Sequence, residues 1–281
     1  MYCKKIAAFF ILIAVHLATL ACQPEPWRIP TTLEIESEHL TAEQASVALF
    51  GNYDSENRES TWNMRNDRVF FDLIEGHDFV VVPDKDIVLT TEYRSADVSQ
   101  KDFVSLLYTT TFGIMDEIED SQAYGVISVF EFEHSNSSWR LMNQSHIIIG
   151  LAYGHYERLD EYEVDKPEIG KGNIAFYIHT PGGGIAGVYH GHSHLIAKVG
   201  QTYRKVFTYA THDSCCPYSD DASDFDAEES CAGMEAAIEI MKCDQKFCPI
   251  RLTVEGSVAP NLGMEEFVPG IYRFNGEEYV H

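Results

Sequence analysis

The chain has 281 residues, of which 45 % are apolar and 12 % aromatic, spread through its length. That is enough to bury a sizeable core and excludes an intrinsically disordered chain. Its 44 acidic residues outnumber its 20 basic ones for a net charge of −24. Nucleic-acid affinity comes largely from Lys and Arg neutralising phosphates, and no basic cluster exists to supply it, so DNA and RNA binding are excluded.

The first segment in chain order places Lys4 and Lys5 ahead of an apolar run, Ile6 to Ala18, of 13 residues. The small-residue stretch Ala18-Thr19-Leu20-Ala21 and then Cys22 follow. A spanning helix needs about 20 consecutive apolar residues, and Gln23-Pro24-Glu25-Pro26 breaks the run first, so the segment reads as an export signal rather than a membrane anchor. It resembles a bacterial lipoprotein signal peptide, whose lipobox ends in a small residue followed by an acylated cysteine. The match is Ala21-Cys22, with Thr19 where that class most often has Leu, and with His16 interrupting the apolar run.

The resemblance implies that residues 1–21 are removed, that Cys22 is lipidated and that acyl chains hold the protein on a membrane. Two or more buried chains give stable anchoring where one does not. Gln23 rather than Asp after the cysteine implies the outer membrane of a Gram-negative cell, facing the periplasm, in preference to the inner membrane or the cell surface. Cleavage would leave 260 residues with a net charge of −26, because Lys4 and Lys5 are the only charged residues removed. The acidity then reads as a solvated, soluble face.

Residues 22–40 read as the lipidated cysteine and an extended tether, stiffened by Pro24, Pro26 and Pro30. Residues 41–281 read as one mostly-β domain. A helix opens it, because Thr41-Ala42-Glu43-Gln44 has the capping-box form ahead of Ala45, Val47, Ala48, Leu49 and Phe50, and Gly51 stops it.

Strands are expected at Arg68–Leu73, Phe79–Val82, Ile87–Tyr93, Phe103–Phe112, Val126–Glu133, Trp139–Gly150, Ile174–His179, Tyr203–Ala210, Ala236–Met241, Pro249–Val254 and Ile271–Val280. They are rich in β-branched and aromatic residues and bounded by turn formers. In Val126–Glu133, Ile127, Val129 and Glu131 alternate with Ser128, Phe130 and Phe132, and the buried face is left open. Asn275-Gly276 between the last two runs predicts a hairpin with a type I′ turn. Many short strands after one helix argue for an antiparallel sheet body, sandwich or barrel-like, with α+β as the margin of the class.

Five of the seven cysteines, Cys215, Cys216, Cys231, Cys243 and Cys248, fall within 34 residues. An oxidising compartment permits disulfides. Cys243 and Cys248 suit a bridge across a hairpin end, and Cys231 is placed to close onto Cys215 or Cys216. A zinc site made of these cysteines would lack the paired C-x2-C ribbons that mark one.

The dense constellation of candidate ligands is His190-Gly191-His192-Ser193-His194. On a strand its imidazoles share a face at intervals of about 6.6–6.8 Å. Two of them could grip one metal, Zn or another transition ion, with His179, His212 or Asp213 as third ligand. Gly191-His192-Ser193-His194 is superficially similar to one element of calcineurin-like metallophosphoesterases, but that family's earlier Asp-x-His, Gly-Asp and Gly-Asn-His motifs are missing.

Other patterns carry less. Gly182 to Gly187 satisfies G-x-G-x-x-G, yet Val188–Val199 does not read as the helix a pyrophosphate site requires. Asp220, Asp221, Asp224, Asp226, Glu228 and Glu229 form an acidic loop without EF-hand order. No G-x-S-x-G elbow exists, and Glu131 with Glu133 on one strand is a pairing expected by chance in so acidic a chain. No catalytic residue and no required cofactor emerges. The expectation is a non-catalytic envelope binding or interaction module, with membrane and envelope-protein partners, and a metal-binding or metal-dependent hydrolytic protein as the alternative.

Overall fold

The computed structural model describes residues 29–63, 87–100, 102–114, 124–151, 164–183, 188–215, 232–256 and 268–281. The expected strands Arg68–Leu73 and Phe79–Val82, the signal segment with Cys22, Cys216, Cys231 and the acidic loop lie outside them. No helix among the described residues is long and apolar enough to cross a membrane.

Part of the span expected as a tether belongs to the body. Glu34–Glu36 form β1, which pairs with β6 (Ser138–Leu151). Apolar residues spaced through the segment explain this, because Ile29, Leu33, Ile35 and Leu40 all pack into one core cluster.

Helix α1 (Ala42–Phe50) begins as its sequence dictates. Gln44 N–H donates to Thr41 Oγ1 (3.1 Å) and Thr41 N–H donates to Gln44 Oε1 (3.0 Å), the reciprocal pair of a capping box. Gly51 ends it at φ 84°, a left-handed value that Gly adopts freely, and its N–H reaches Val47 O.

Among the described residues the body is mostly β and antiparallel, a sandwich with one helix and no closed barrel. The first sheet has six strands: β1 and β6, then β5 (Tyr124–Ser135), β4 (Phe103–Ile114), β3 (Ile87–Gln100) and β2 (Glu59–Asn63). The second has eight, running from β7 (Val164–Asp165) through β10 (Phe176–Gly183), β11 (Val188–Val199), β12 (Thr202–Cys215), β13 (Ala232–Ile240), β14 (Ile250–Gly256) and β15 (Gly270–Phe274) to β16 (Tyr279–Val280). A small hairpin, β8 (Glu168–Gly170) with β9 (Asn173–Ile174), stands apart.

The centre of the first sheet, β4 and β5, is buried on both faces, which explains why the alternation in β5 did not reveal an inside. Phe130 and Phe132 face α1, where Phe50, Tyr108 and Phe130 meet edge to face at centroid distances of 5.3, 5.9 and 5.6 Å. Such aromatic pairs contribute about 0.5–1.5 kcal/mol each beyond their buried area. Ile127 and Val129 face the second sheet and pack with Leu107, Phe176, Ile178 and Ile196. Two polar contacts join the sheets there, since Tyr203 N–H donates to Ser145 Oγ (2.9 Å) and the Tyr203 and Ser105 hydroxyls bond at 2.8 Å.

The second sheet folds over itself. β12 pairs with β13 only across His212–Cys215 and Ala232–Glu235; beyond that, β13 pairs with β14 alone. The far side of β11 and β12, carrying Leu195, Ala197, Phe207 and Tyr209, packs into one cluster with Ile250, Leu252 and Tyr279.

Two turns reward comparison. The expected hairpin at Asn275-Gly276 forms, but as a four-residue loop between Phe274 and Tyr279, with only Gly276 at positive φ (110°). The Asn275 carboxamide is the reason: its Oδ1 accepts from Glu277 N–H and Glu278 N–H (2.8 and 3.0 Å), an Asx-type closure that competes with the tight turn. Between β5 and β6, in contrast, Asn136 and Ser137 both take positive φ (53° and 67°) in a two-residue connection, the pattern a type I′ turn needs.

Candidate functional site

The His-rich run is β11, the middle of the three adjacent long strands β10, β11 and β12. Its neighbours adapt to it rather than the reverse. β10 carries an extra residue between Thr180 and Gly183 opposite His192 and His190, and β12 carries one between Ala210 and His212. These bulges locally increase strand bend and twist.

His192 and His194 stand side by side, ring centroids 6.4 Å apart and planes at 14°, close to the interval that strand rise imposes. His194 is buried at 3 % exposure rather than solvent-facing. Its Nδ1 lies 3.1 Å from the Thr208 hydroxyl, and its Nε2 is buried without a hydrogen-bond partner. Burial first, then the Lys205 ammonium and the neighbouring His192, holds its pKa down to about 3, so the ring is neutral.

Of the remaining expected ligands only His179 has a described side chain, and it does not join this pair. The register sets His190 opposite Asp213 and Gly191 opposite His212, so His190 and His212 are not cross-strand partners; the side chains of both lie outside the described set. His179 stands opposite Ser193, which alternates with His192 and His194 and therefore belongs to the other face of the sheet. Among the described residues no group of three or more His, Cys, Asp or Glu side chains is placed to hold a metal ion.

On that other face a polar row crosses three strands. His179, Ser193 and Tyr209 are successive cross-strand neighbours on β10, β11 and β12. His179 Nδ1 lies 2.6 Å from Ser193 Oγ, and its Nε2 lies 4.0 Å from Asp165 Oδ2 on β7. Ser193 also bonds the Tyr209 hydroxyl, which makes a short hydrogen bond to the Tyr177 hydroxyl. Tyr177 packs edge-on to the His179 ring at 4.3 Å. Burial, followed by the bond to Tyr177, drives the Tyr209 hydroxyl well above its ordinary pKa, so it stays protonated.

Asp165, His179 and Ser193 have the composition of an activated-serine triad, but their geometry does not serve nucleophilic attack. Ser193 is fully buried at 0 % exposure, and its hydroxyl is engaged by both His179 and Tyr209. A substrate carbonyl must approach the nucleophile within bonding reach, and nothing can do so here. The row is a mutually satisfied network, the form in which buried polar groups stabilise rather than destabilise a core.

Comparison with protein-family models, with curated proteins and with solved structures finds no match.

Of the glycosidase-like pair Glu131 and Glu133, the fold engages Glu131 in an ion pair. Glu131 points between the sheets, where Lys198 Nζ lies 2.6 Å from both carboxylate oxygens. The glycine-rich run Gly182 to Gly187 begins in β10, and the residues after it form the antiparallel strand β11 rather than the helix a pyrophosphate site requires.

The expected Cys243–Cys248 disulfide is present, with Cα atoms 5.5 Å apart, in the loop joining β13 and β14. Tyr177, Ser193, Tyr209 and Asp165 were not singled out by sequence. Their shared signal is a register rather than a spacing, since they lie on four strands separated by up to 44 positions.

Proposed function

We propose that the protein is a lipid-anchored module of the cell envelope, held at the outer membrane by acyl groups on Cys22 and facing the periplasm, with a non-catalytic binding or interaction role toward another envelope protein. The observation that carries this is the Ala21-Cys22 junction behind Lys4, Lys5 and the apolar run Ile6 to Ala18. The Cys243–Cys248 disulfide supports an oxidising compartment. The non-catalytic role is supported by the mutual engagement of Ser193 with His179 and of Glu131 with Lys198.

Ile29 is buried in the cluster under α1, seven residues from Cys22. A chain that short reaches at most about 25 Å, so acyl groups on Cys22 would hold the α1 side of the sandwich close to the bilayer. The test is Cys22→Ser. Expected is release of the protein from membranes and loss of labelled-acyl incorporation; unchanged membrane partition sinks the reading.

The buried, unpartnered Nε2 of His194 beside His192 supports a second reading, a transition-metal protein built on β11. Metal analysis of the purified protein, with and without His192→Ala, separates the two. The metal reading fails if no first-row metal co-purifies or binds at micromolar concentration.

A further inference from the structure

The β13–β14 loop, residues 241–249, contains no helix or strand of its own. Its ends are joined where Met241 N–H donates to Pro249 O (2.9 Å), and its turn is closed by the Cys243–Cys248 bridge. From this ring the backbone reaches outward. Lys171 N–H donates to Gln245 O (2.8 Å), Cys248 N–H donates to Ile169 O (2.7 Å), and Asn173 Nδ2 donates to Lys246 O (2.9 Å). All three fasten it to the β8–β9 hairpin. On its other side the Tyr279 hydroxyl donates to Cys248 O (2.9 Å), and the Phe247 ring stacks on Phe274 at 3.8 Å and 10°.

The approach is backbone to backbone. A Cβ at Gly170 would lie 2.2 Å from Lys246 O, so only glycine permits it. Every one of these contacts originates between Gln245 and Cys248, inside or at the end of the bridged ring. With the bridge open, these residues lose the covalent restraint on the conformation that presents their carbonyls, and the hydrogen bonds and the Phe247 stack must then hold an irregular segment against its regained conformational entropy.

We propose that the Cys243–Cys248 loop is a redox-sensitive latch: oxidised, it holds the β8–β9 hairpin and the C-terminal β15–β16 hairpin in place, and reduction by a dithiol releases both. Cys243 is half-buried and Cys248 is buried at 3 % exposure, so the attacking thiolate meets the Cys243 sulfur. It forms a mixed disulfide there and Cys248 departs as thiolate. The second thiol of the reductant then displaces Cys243. Two electrons and two protons pass to the protein, and the dithiol becomes a cyclic disulfide. The latch is independent of lipid anchoring.

Hydrogen exchange read by mass spectrometry tests it on the full chain in three states: oxidised, reduced with dithiothreitol, and Cys243→Ser/Cys248→Ser. Expected is exchange about tenfold faster in peptides covering 168–175 and 270–281 in the second and third states. Peptides covering 126–132 remain protected, and reoxidation restores the wild type only. Unchanged protection at 168–175, with alkylation showing both thiols free, overturns the proposal. So does an equal loss across 126–132, which marks a global staple, or an effect of dithiothreitol that the double variant does not reproduce. Reduction of folded wild type keeps the test open if the variant does not fold.

Discussion

Lys198 and Glu131 tie the two stacked sheets together, the ammonium of β11 lying 2.6 Å from both carboxylate oxygens of β5. The Glu131 side chain is 9 % exposed and that of Lys198 29 %, so removing the acid strands a charge with only partial access to water. Glu131→Ala should therefore cost about 3 kcal/mol, the low end for a broken buried pair, because Lys198 can extend toward solvent. Replacing both residues with Leu and Met should fall within about 1 kcal/mol of wild type. Urea unfolding midpoints of the single and double variants check this.

His194 gives the stability a definite pH dependence. Its folded pKa of about 3 lies below the ordinary 6.5, so below 6.5 the unfolded chain takes up a proton that the folded state refuses. Stability present above pH 6.5 should fall as the pH drops from 6.5 toward 3, with a slope of up to about 1.4 kcal/mol per pH unit from this residue. In His194→Leu that contribution is absent. The difference between the two proteins' urea midpoints across this range reads it directly, and parallel curves would contradict it.

Thr41→Ala removes one half of the capping box and leaves the first-turn N–H of Gln44 without its side-chain acceptor. The expected loss is about 1 kcal/mol, seen as a lower thermal midpoint. Thr41→Ser should retain most of the stability, because its hydroxyl still reaches the same N–H.

Gly170→Ala introduces a methyl that meets a backbone carbonyl rather than a movable side chain. Overpacking of this kind costs about 1–3 kcal/mol, and here the strain falls on the loop. Circular dichroism should show the sheets retained, with a lower unfolding midpoint.

Much of the architecture is legible in the sequence. The capping box gave α1 its start, β-branched runs located β3 to β6 and β12 to β14, and the spacing of Cys243 and Cys248 anticipated their bridge. Short strands were not legible. β1, β7 and β8 have 3, 2 and 3 residues, too few to show a period, and they exist because longer strands or a loop offer them a partner. In the candidate site, strand alternation correctly spaced His192 and His194, yet a chain cannot state which face its partner strands will cover. The burial of His194 and the convergence of Asp165, His179, Ser193, Tyr209 and Tyr177 are consequences of register among β7, β10, β11 and β12.

β12 hydrogen-bonds to β11 along its length and to β13 only at its end. It is therefore common property of two layers, and neither layer can be excised as a separable piece. A chain ending after Cys215 would keep β12 but uncover Leu195, Phe207 and Tyr209, which are at most 7 % exposed beneath the returning strands. The first two would face water as an apolar patch, and the Tyr209–Ser193–His179 hydrogen bonds would meet competing water. Completion of the last strands is thus a condition for the earlier ones to be soluble, and a truncated or nascent chain passes through a sticky stage that the full chain leaves behind.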